Sequence, residues 1–508
     1  MKDEVYSTAM PVALHKEAIE HLLRSDGQED LCFGLWFPSK GKTRTTALLS
    51  RLILPEKGNR RVHGNASFLP RYFERALGEA IIANAGLAFL HSHPGPGWQD
   101  MSADDCKAER THAAATFGAT SLPLVGMTLG TNGAWSARFW VKIAPRTYER
   151  WWCVNTRVVG DPFSVTYADH LLPRPGLKEE LMRTVSAWGE DSQANLARLR
   201  VGIVGAGSVG AIIGEALART GIAHIKLIDF DRVEFVNLDR LLHATKKDAL
   251  AQRLKVVSLG LALQESATAD DFFADRIDKS IAEEDGFRAA LDCDVLFSCV
   301  DRPWARSVLN FIAYAHLIPV VDGGIKIEVT KQRTLHRADW KAHIAMPGRR
   351  CLECLQQYDP SLVQMERDGL LDDPSYIAGL PLDHQLRRNE NVFAFSLGVA
   401  SFEILQFLMM VIAPLGISNP GEQAYHFVPG LLDEPKFLSC NEKCPYPALI
   451  AKGDRTGFVV TAHHKQAEKS RSLQNAARER ILWRYRFAEY LHELVDHPLR
   501  ISIEERRK

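Results

Sequence analysis

A chain of 508 residues, 46% hydrophobic and 24% charged, holds enough apolar material for two or three domains with their own cores, which excludes a largely disordered protein. Lys+Arg and Asp+Glu both number 62, so the overall charge attracts no polyanion, and a nucleic-acid partner would need a local basic patch. Nine cysteines are too few and too unevenly placed for a disulfide framework.

The opening stretch, "MKDEVYSTAMPVALHKEAIEHLL", has early acids and no apolar run before a small-residue cleavage site, which predicts a cytoplasmic protein rather than a secreted one. Residues 1–155 mix apolar runs such as "LCFGLWF" and "LAFLHSHP" with turn text such as "LGTNGAW", as expected of a mixed α+β domain. Residues 156–176 follow as a linker, because Pro162, Pro173, Pro175 and Gly176 scatter breakers through them. From Arg200, the strand texts "RVGIV", "HIKLID", "VLFSCVD" and "IPVVDGG" alternate with helical runs. That alternation predicts a doubly wound α/β domain with a mostly parallel sheet, assigned to residues 177–455.

The most apolar stretch, Asn391 to Ile417, is interrupted by Ser396, Ser401, Glu403, Gln406 and Pro414, so a buried helix is expected and no membrane span. Residues 456–508 read as a basic, largely helical tail that starts with solvated His463 and His464. Lys465 to Arg486 carries seven Lys/Arg against two Glu, but its interleaved Leu, Ile, Trp and Tyr point to packing on the body or on a partner protein rather than to nucleic acid.

In "GIVGAGSVGAIIGEALARTG", Gly205, Gly207 and Gly210 follow a strand and open a helix, where bare amides and the helix dipole can hold phosphate oxygens. Asp229, 19 residues after Gly210, ends the next strand, where an acid binds ribose hydroxyls. A dehydrogenase would show the same text. The residues beyond it distinguish the two: "DFDRVEFVNLDR" supplies Asp231, Asn237 and Arg240, Lys255 follows, and "FSCVDRPWAR" puts Asp301 at a strand's carboxyl end. Adenylation of a carboxylate uses such a set, because cations must neutralise charge on the α-phosphate and the leaving pyrophosphate while an acid holds Mg2+.

From about Arg183 to Cys444 the chain resembles the ThiF/MoeB/E1 family of ubiquitin-like-protein activating enzymes. The resemblance implies ATP and Mg2+ as cofactors, with Asp229 on the ribose, Asn237, Arg240 and Lys255 on the phosphates, and Asp301 on Mg2+. It also implies a homodimer, because Arg183 in "LMRTVSAWGEDSQ" matches an arginine that reaches the partner subunit's nucleotide. Cys351 and Cys354 form C-x2-C, and Cys440 and Cys444 form C-x3-C, the geometry of two chelating turns around one tetrahedral metal. In the family such pairs hold a structural Zn2+. Thioester-forming members carry a reactive Cys beyond the first pair, whereas no Cys lies between Cys354 and Cys440 here, which puts the thioester step in doubt. Cys299 reads as buried packing.

In "HSHPGPGWQDMSADD", His91 and His93 project from one side of an extended strand, so both can ligate one ion. The Pro/Gly turn would fold the chain back so that Asp105 closes the set. Two histidines and a carboxylate leave a position open, the mark of a catalytic Zn2+, and Ser102 could donate to a tetrahedral oxyanion. The string resembles the signature of JAB/MPN+ (JAMM) metallopeptidases, with a loop one residue longer, so Asp104 remains an alternative to Asp105. That family also needs an upstream glutamate as general base; Glu29 matches by position, with Glu74 and Glu79 as runners-up.

The expected architecture is therefore an N-terminal JAB/MPN-type α+β domain followed by a ThiF-type doubly wound, Rossmann-like domain. The expected substrate is a ubiquitin-like or sulfur-carrier protein with a Gly-Gly-type tail, processed by the first domain and adenylated by the second, with an E2-like protein as a further partner. Maturation of a sulfur carrier and a non-catalytic scaffold stand as alternatives. The polar segment Tyr358 to Asn391 is expected to be a lid over the threaded tail.

Overall fold

The computed structural model describes residues 4–63, 65–330, 332–372, 390–458, 460–462 and 464–472. The first unit contains β1 (Val5–Pro11), α1 (Val12–Leu22), β2 (Leu31–Lys40), β3 (Arg44–Ile53), β4 (Arg60–His63) and β5 (Asn65–Phe68). It continues with α2 (Pro70–Ala83), β6 (Gly86–Ser92), α3 (Ala103–Thr120), β7 (Leu124–Leu129) and β8 (Trp135–Ala144). β9 (Thr147–Trp152), β10 (Asn155–Val159) and β11 (Ser164–Tyr167) complete it.

Apart from the β4–β5 hairpin, these strands form one nine-stranded sheet in the order β11-β10-β1-β3-β2-β6-β7-β8-β9. The run "LCFGLWF" does not alternate because both faces of β2 are covered. Leu31, Phe33, Leu35 and Phe37 pack with Tyr72, Ala76 and Ala113 of α2 and α3, while Cys32 and Trp36 pack with Leu14, Ala18 and Leu22 of α1. The stretch 156–176 is not a linker along its whole length. Thr156–Val159 complete β10 and Ser164–Tyr167 make β11 at the sheet edge, because the β-branched run through Val158 and Val159 outweighs breakers confined to the turn at Pro162 and beyond Tyr167.

The second unit opens with α4 (Met182–Trp188), α5 (Glu190–Ala197), β12 (Arg200–Val204), α6 (Ser208–Arg219), β13 (His224–Ile228), α7 (Lys246–Leu250) and α8 (Lys255–Ser266). Next come β14 (Phe273–Ile277), α9 (Glu284–Ala290), β15 (Val295–Ser298), α10 (Pro303–Ala315), β16 (Val320–Val329) and β17 (Leu335–Ala345). α11 (Pro360–Arg367), α12 (Phe393–Ile412), β18 (Gln423–His426) and β19 (Leu431–Leu432) follow. The sheet order is β14-β13-β12-β15-β16-β17-β18-β19, parallel through β16 and antiparallel beyond it. Strand order reverses between β12 and β15, so the glycine turn after β12 lies at the switch point where open α/β sheets bind ligands.

One face of this sheet (Val201, Ile203, Leu227, Phe297) packs on α6, α8 and α12; the other (Val204, Ile228, Leu296) packs on α9 and α10. By length and composition α12 could cross a bilayer, with a mean hydropathy of 1.9. It packs on α6, β16 and β17, and the buried Gln406 amide donates to the Gly421 carbonyl at 2.7 Å. The expected lid over Tyr358–Asn391 includes α11, but residues 373–389 lie outside the described residues, as does the tail beyond 472.

Candidate functional site

The glycines of the turn after β12 are required by shape. Gly205 has φ +98°, and a Cβ there would sit 2.3 Å from the Cys299 carbonyl oxygen; at Gly210 it would sit 1.9 Å from the Gly205 carbonyl. A Cβ on Gly207 meets nothing within 4 Å, so the third glycine leaves open space at the start of α6. Asp229 ties this turn to the next strand end: its Oδ2 accepts from the Ala206 amide and its Oδ1 from the Asp231 amide, both at 2.7 Å. Each carboxylate oxygen keeps an acceptor position for a ribose hydroxyl. Burial pushes Asp229 up to about 6, against the pull of Lys255 and together with the like charge of Asp231.

Lys255, the first residue of α8, places Nζ 2.8 Å from Asp231 Oδ2. Burial acts to lower the Lys255 pKa, but Asp229 and Asp231 more than offset it, so the ammonium stays charged. Asn237 closes a 3-10 turn by accepting from the Glu234 amide at 3.0 Å. Arg240 donates to the Val236 carbonyl at 2.6 Å and to Asp239 at 2.8 Å. Asp301 is exposed just past β15, and Arg183 is exposed on α4. The structure thus brings Gly205, Gly207, Gly210, Asp229, Asp231 and Lys255 together, while Asn237 and Arg240 sit on the loop beyond β13 in local contacts. Burial raises the Cys299 thiol well above its usual range, in keeping with packing.

The first unit holds a second constellation. His91 ends β6 and His93 follows it; their Nε2 atoms lie 3.2 Å apart, and Asp105 approaches them at 3.6 and 3.3 Å. Asp105 reaches the pair because it is the third residue of α3, whereas Asp104 is exposed. Burial would raise the Asp105 carboxyl, but hydrogen bonds from His91, His93 and Ser102 hold it well below the carboxylate range.

Ser102 is a helix cap. Its hydroxyl donates to Asp105 Oδ2 at 2.7 Å and accepts the Asp105 amide at 3.1 Å, so the expected oxyanion donor is committed to orienting the carboxylate. Glu29 lies two residues before β2, next to Asp30, whose carbonyl accepts the amide of Ser92 between the two histidines. Glu74 is exposed and Glu79 is paired with Arg51 and Arg75, which leaves both on the surface of α2.

A buried chain behind the histidines has no sequence signal. Glu109 of α3 binds Arg138 of β8 through both oxygens and accepts from Trp140 Nε1 at 2.6 Å. Arg138 donates to Thr128, whose hydroxyl lies 3.4 Å from His91 Nε2. Only Gly126 leaves room for it, since a Cβ there would sit 2.2 Å from Glu109 Oε2. His464 is also unlike its expectation: it is buried, with its ring against Phe230 and Trp304 at 5.4 Å.

The sulfurs of Cys351, Cys354, Cys440 and Cys444 all lie within 4.8 Å of one another. Cys351 and Cys444 approach to 3.6 Å, near the roughly 3.8 Å that four thiolates about 2.3 Å from one tetrahedral ion would show. The Cys351 amide donates to Cys440 Sγ at 3.2 Å and the Cys354 amide to Cys351 Sγ at 3.3 Å. The hydrogen bond between Cys351 and Cys440 lowers the Cys440 thiol and raises that of Cys351, so the pair shares one proton closely. Among the described residues, this group and the His91–His93–Asp105 group have the donors for a divalent ion.

Residues 179–412 match the ThiF family. A stretch of 118 residues, 22% of the chain, is 32% identical to 29% of the ubiquitin-like modifier-activating enzyme 5 of Drosophila virilis. Its counterparts in Xenopus laevis and Gallus gallus are 32% and 33% identical over 122 residues, 22% of this chain and 30% of each protein. The chain therefore spans under a third of the length of these relatives. Among solved structures, E. coli MccB with ATP shares 16% identity at a TM-score of 0.40, over 54% of this chain and 76% of that one. The family match, on the sheet order and the glycine turn described above, supports a ThiF/E1-like domain with a Rossmann-like fold.

Proposed function

We propose that the second unit adenylates the carboxyl terminus of a ubiquitin-like or sulfur-carrier protein with a Gly-Gly-type tail, using ATP and Mg2+. In this reading the tail carboxylate attacks the α-phosphorus, the bond to the bridging oxygen breaks, and pyrophosphate leaves. The observation that carries the reading is the glycine turn, bare at Gly207 and tied through Ala206 to Asp229, with the charged Lys255 held by Asp231 two residues further on. Lys255, Asn237 and Arg240 would neutralise phosphate charge, Asp229 would hold the ribose, and Asp301 would hold Mg2+, which lowers the charge barrier to attack. A homodimer would let Arg183 reach the partner's nucleotide, and an E2-like protein would receive the product. Nine free cysteines suit a reducing, cytoplasmic setting. The test is ATP–pyrophosphate exchange stimulated by a small Gly-Gly-tailed protein. Exchange that is absent with every such protein, with Asp301→Ala binding ATP as the wild type does, would count against the reading.

The first unit is proposed to be a JAMM-type zinc peptidase that exposes or releases the same tail. His91, His93 and Asp105 would hold Zn2+, which supplies Lewis acidity at the scissile carbonyl. Glu29, one residue before the Asp30 that pairs with Ser92, would take a proton from the attacking water and return it to the leaving amine. Cys351, Cys354, Cys440 and Cys444 would hold a second, structural Zn2+. Cleavage of a Gly-Gly-tailed fusion by the wild type and not by Glu29→Gln is the expected result. Because no cysteine lies between Cys354 and Cys440, formation of a thiocarboxylate on a sulfur carrier is the second reading, read by the mass of the carrier.

A further inference from the structure

The ThiF match ends at residue 412, yet a later segment reaches back to the nucleotide turn. The Thr461 amide donates to the Ala282 carbonyl at 2.9 Å and its carbonyl accepts from Glu284 at 3.1 Å, beyond the end of β14. Past β13, the Ser470 hydroxyl donates to the Phe230 carbonyl at 2.6 Å, and Arg232 Nε donates to the Ser470 carbonyl at 2.9 Å. The His464 ring sits against Phe230 on one side and Trp304, at the start of α10, on the other, 5.4 Å from each. Arg471 grips the buried Glu283 carboxylate with contacts of 2.6 and 3.2 Å.

These anchors lie beyond the carboxyl ends of β14, β13 and β15, strands that flank β12 and its glycine turn on both sides, the rim on which α/β sheets bind nucleotides. Phe230 is the decisive residue. It lies between Asp229, which accepts the Ala206 amide of the glycine turn and the Asp231 amide of its own loop, and Asp231, which holds Lys255. A segment that fixes the Phe230 carbonyl and ring fixes both carboxylates.

We infer that residues 461–462 and 464–471 position the nucleotide-binding turn, with Ser470 and His464 acting on Asp229 and Asp231 through Phe230. The inference rests on the proposed adenylation reading. Coupling is reciprocal: if docking of the segment favours the nucleotide-competent turn, bound nucleotide favours docking to the same degree.

The test uses the full chain. His464→Ala and Ser470→Ala should weaken ATP binding, measured by calorimetry, about fivefold or more, the lower end of ordinary coupling. His464→Phe, which keeps an aromatic ring, should restore most of it. In exchange assays the loss should fall on KM for ATP rather than on kcat. A purely structural role would instead lower the melting temperature and leave ATP affinity alone. A second measurement needs no substitution: ATP should slow tryptic cleavage after Lys469 and Arg471 in the wild type. Variants with wild-type affinity, together with cleavage indifferent to ATP, would overturn the inference while leaving adenylation intact. Failure of the wild type to bind ATP at all would overturn the adenylation reading, and this inference with it.

Discussion

The Arg44 guanidinium of β3 donates to the Asp294 carboxylate at 2.6 Å, across the junction between the two sheets. Arg157 of β10 reaches the same oxygen at 3.0 Å, and the Arg200 amide donates to the other. All three side chains are buried. Burial alone would raise the Asp294 pKa, but the two guanidinium groups outweigh it and hold it at about 2. The carboxylate therefore stays charged wherever the fold is stable, and its contribution, present above about 3.8, is lost as pH falls through about 2. Asp294→Ala strands two cations without water, a loss of about 3–5 kcal/mol for breaking a buried pair. Denaturant titration should show that loss; an unchanged midpoint would mean that the junction is not held by this cluster.

Lys255→Ala should reduce ATP–pyrophosphate exchange by roughly 10²–10³-fold, the scale seen when one donor to a developing anionic charge is removed. Asp231→Asn keeps the ammonium and weakens only its resting contact at 2.8 Å, so its effect should be much smaller. Equal losses in the two variants would argue that the pair serves the fold and not the phosphates.

The positions legible in the sequence are those whose chemistry is local. The glycine turn, Asp229, the His91–His93 spacing and the two cysteine pairs each sit within a few residues of a strand or turn that sets their direction, and the structure converges them as their spacing suggests. The S-x-x-D text of Ser102 and Asp105 also writes a capping box, and in the fold the Ser102 hydroxyl caps α3 while it orients Asp105. Thr156–Val159 joined the first sheet because strand pairing with β1 lies far away in sequence, where local breakers give no warning. Glu109 and Arg138, 29 residues apart, carry no periodic signature, and nothing in the text of Gly126 announces that its missing side chain houses them.

The two donor groups give separable predictions for metal content. Elemental analysis of the wild type should find two zinc ions per chain. His91→Ala should lose one, with a moderate fall in melting temperature because the buried ring it removes belongs to β6 in the interior of the first sheet. Cys440→Ser should lose the other and melt well below the wild type, because Cys351 and Cys440 join segments 89 residues apart beside the packed face of α10. A single zinc ion that survives His91→Ala would remove the metallopeptidase proposal and leave the cysteine site standing.

Glu366 of α11 supplies a pH dependence with a definite sign. Its carboxylate accepts the Trp304 amide at 2.8 Å, capping the first turn of α10 next to Asp301. Burial pushes it up from 4.5 to about 7, against that hydrogen bond and the opposing charge of Arg302. A carboxyl with a raised folded-state pKa binds its proton more tightly folded than unfolded. Its contribution is thus fully present below about 4.5 and is lost as pH rises toward about 7, by on the order of 3 kcal/mol. Glu366→Gln keeps an oxygen for the Trp304 amide and cannot ionise. Melting temperatures of the two proteins should be closest near pH 4.5, separate in favour of the variant up to about pH 7, and stay parallel above it. A constant gap across that window would mean that the carboxylate finds water or a counter-ion, and that α11 lies more loosely on α10 than this contact implies.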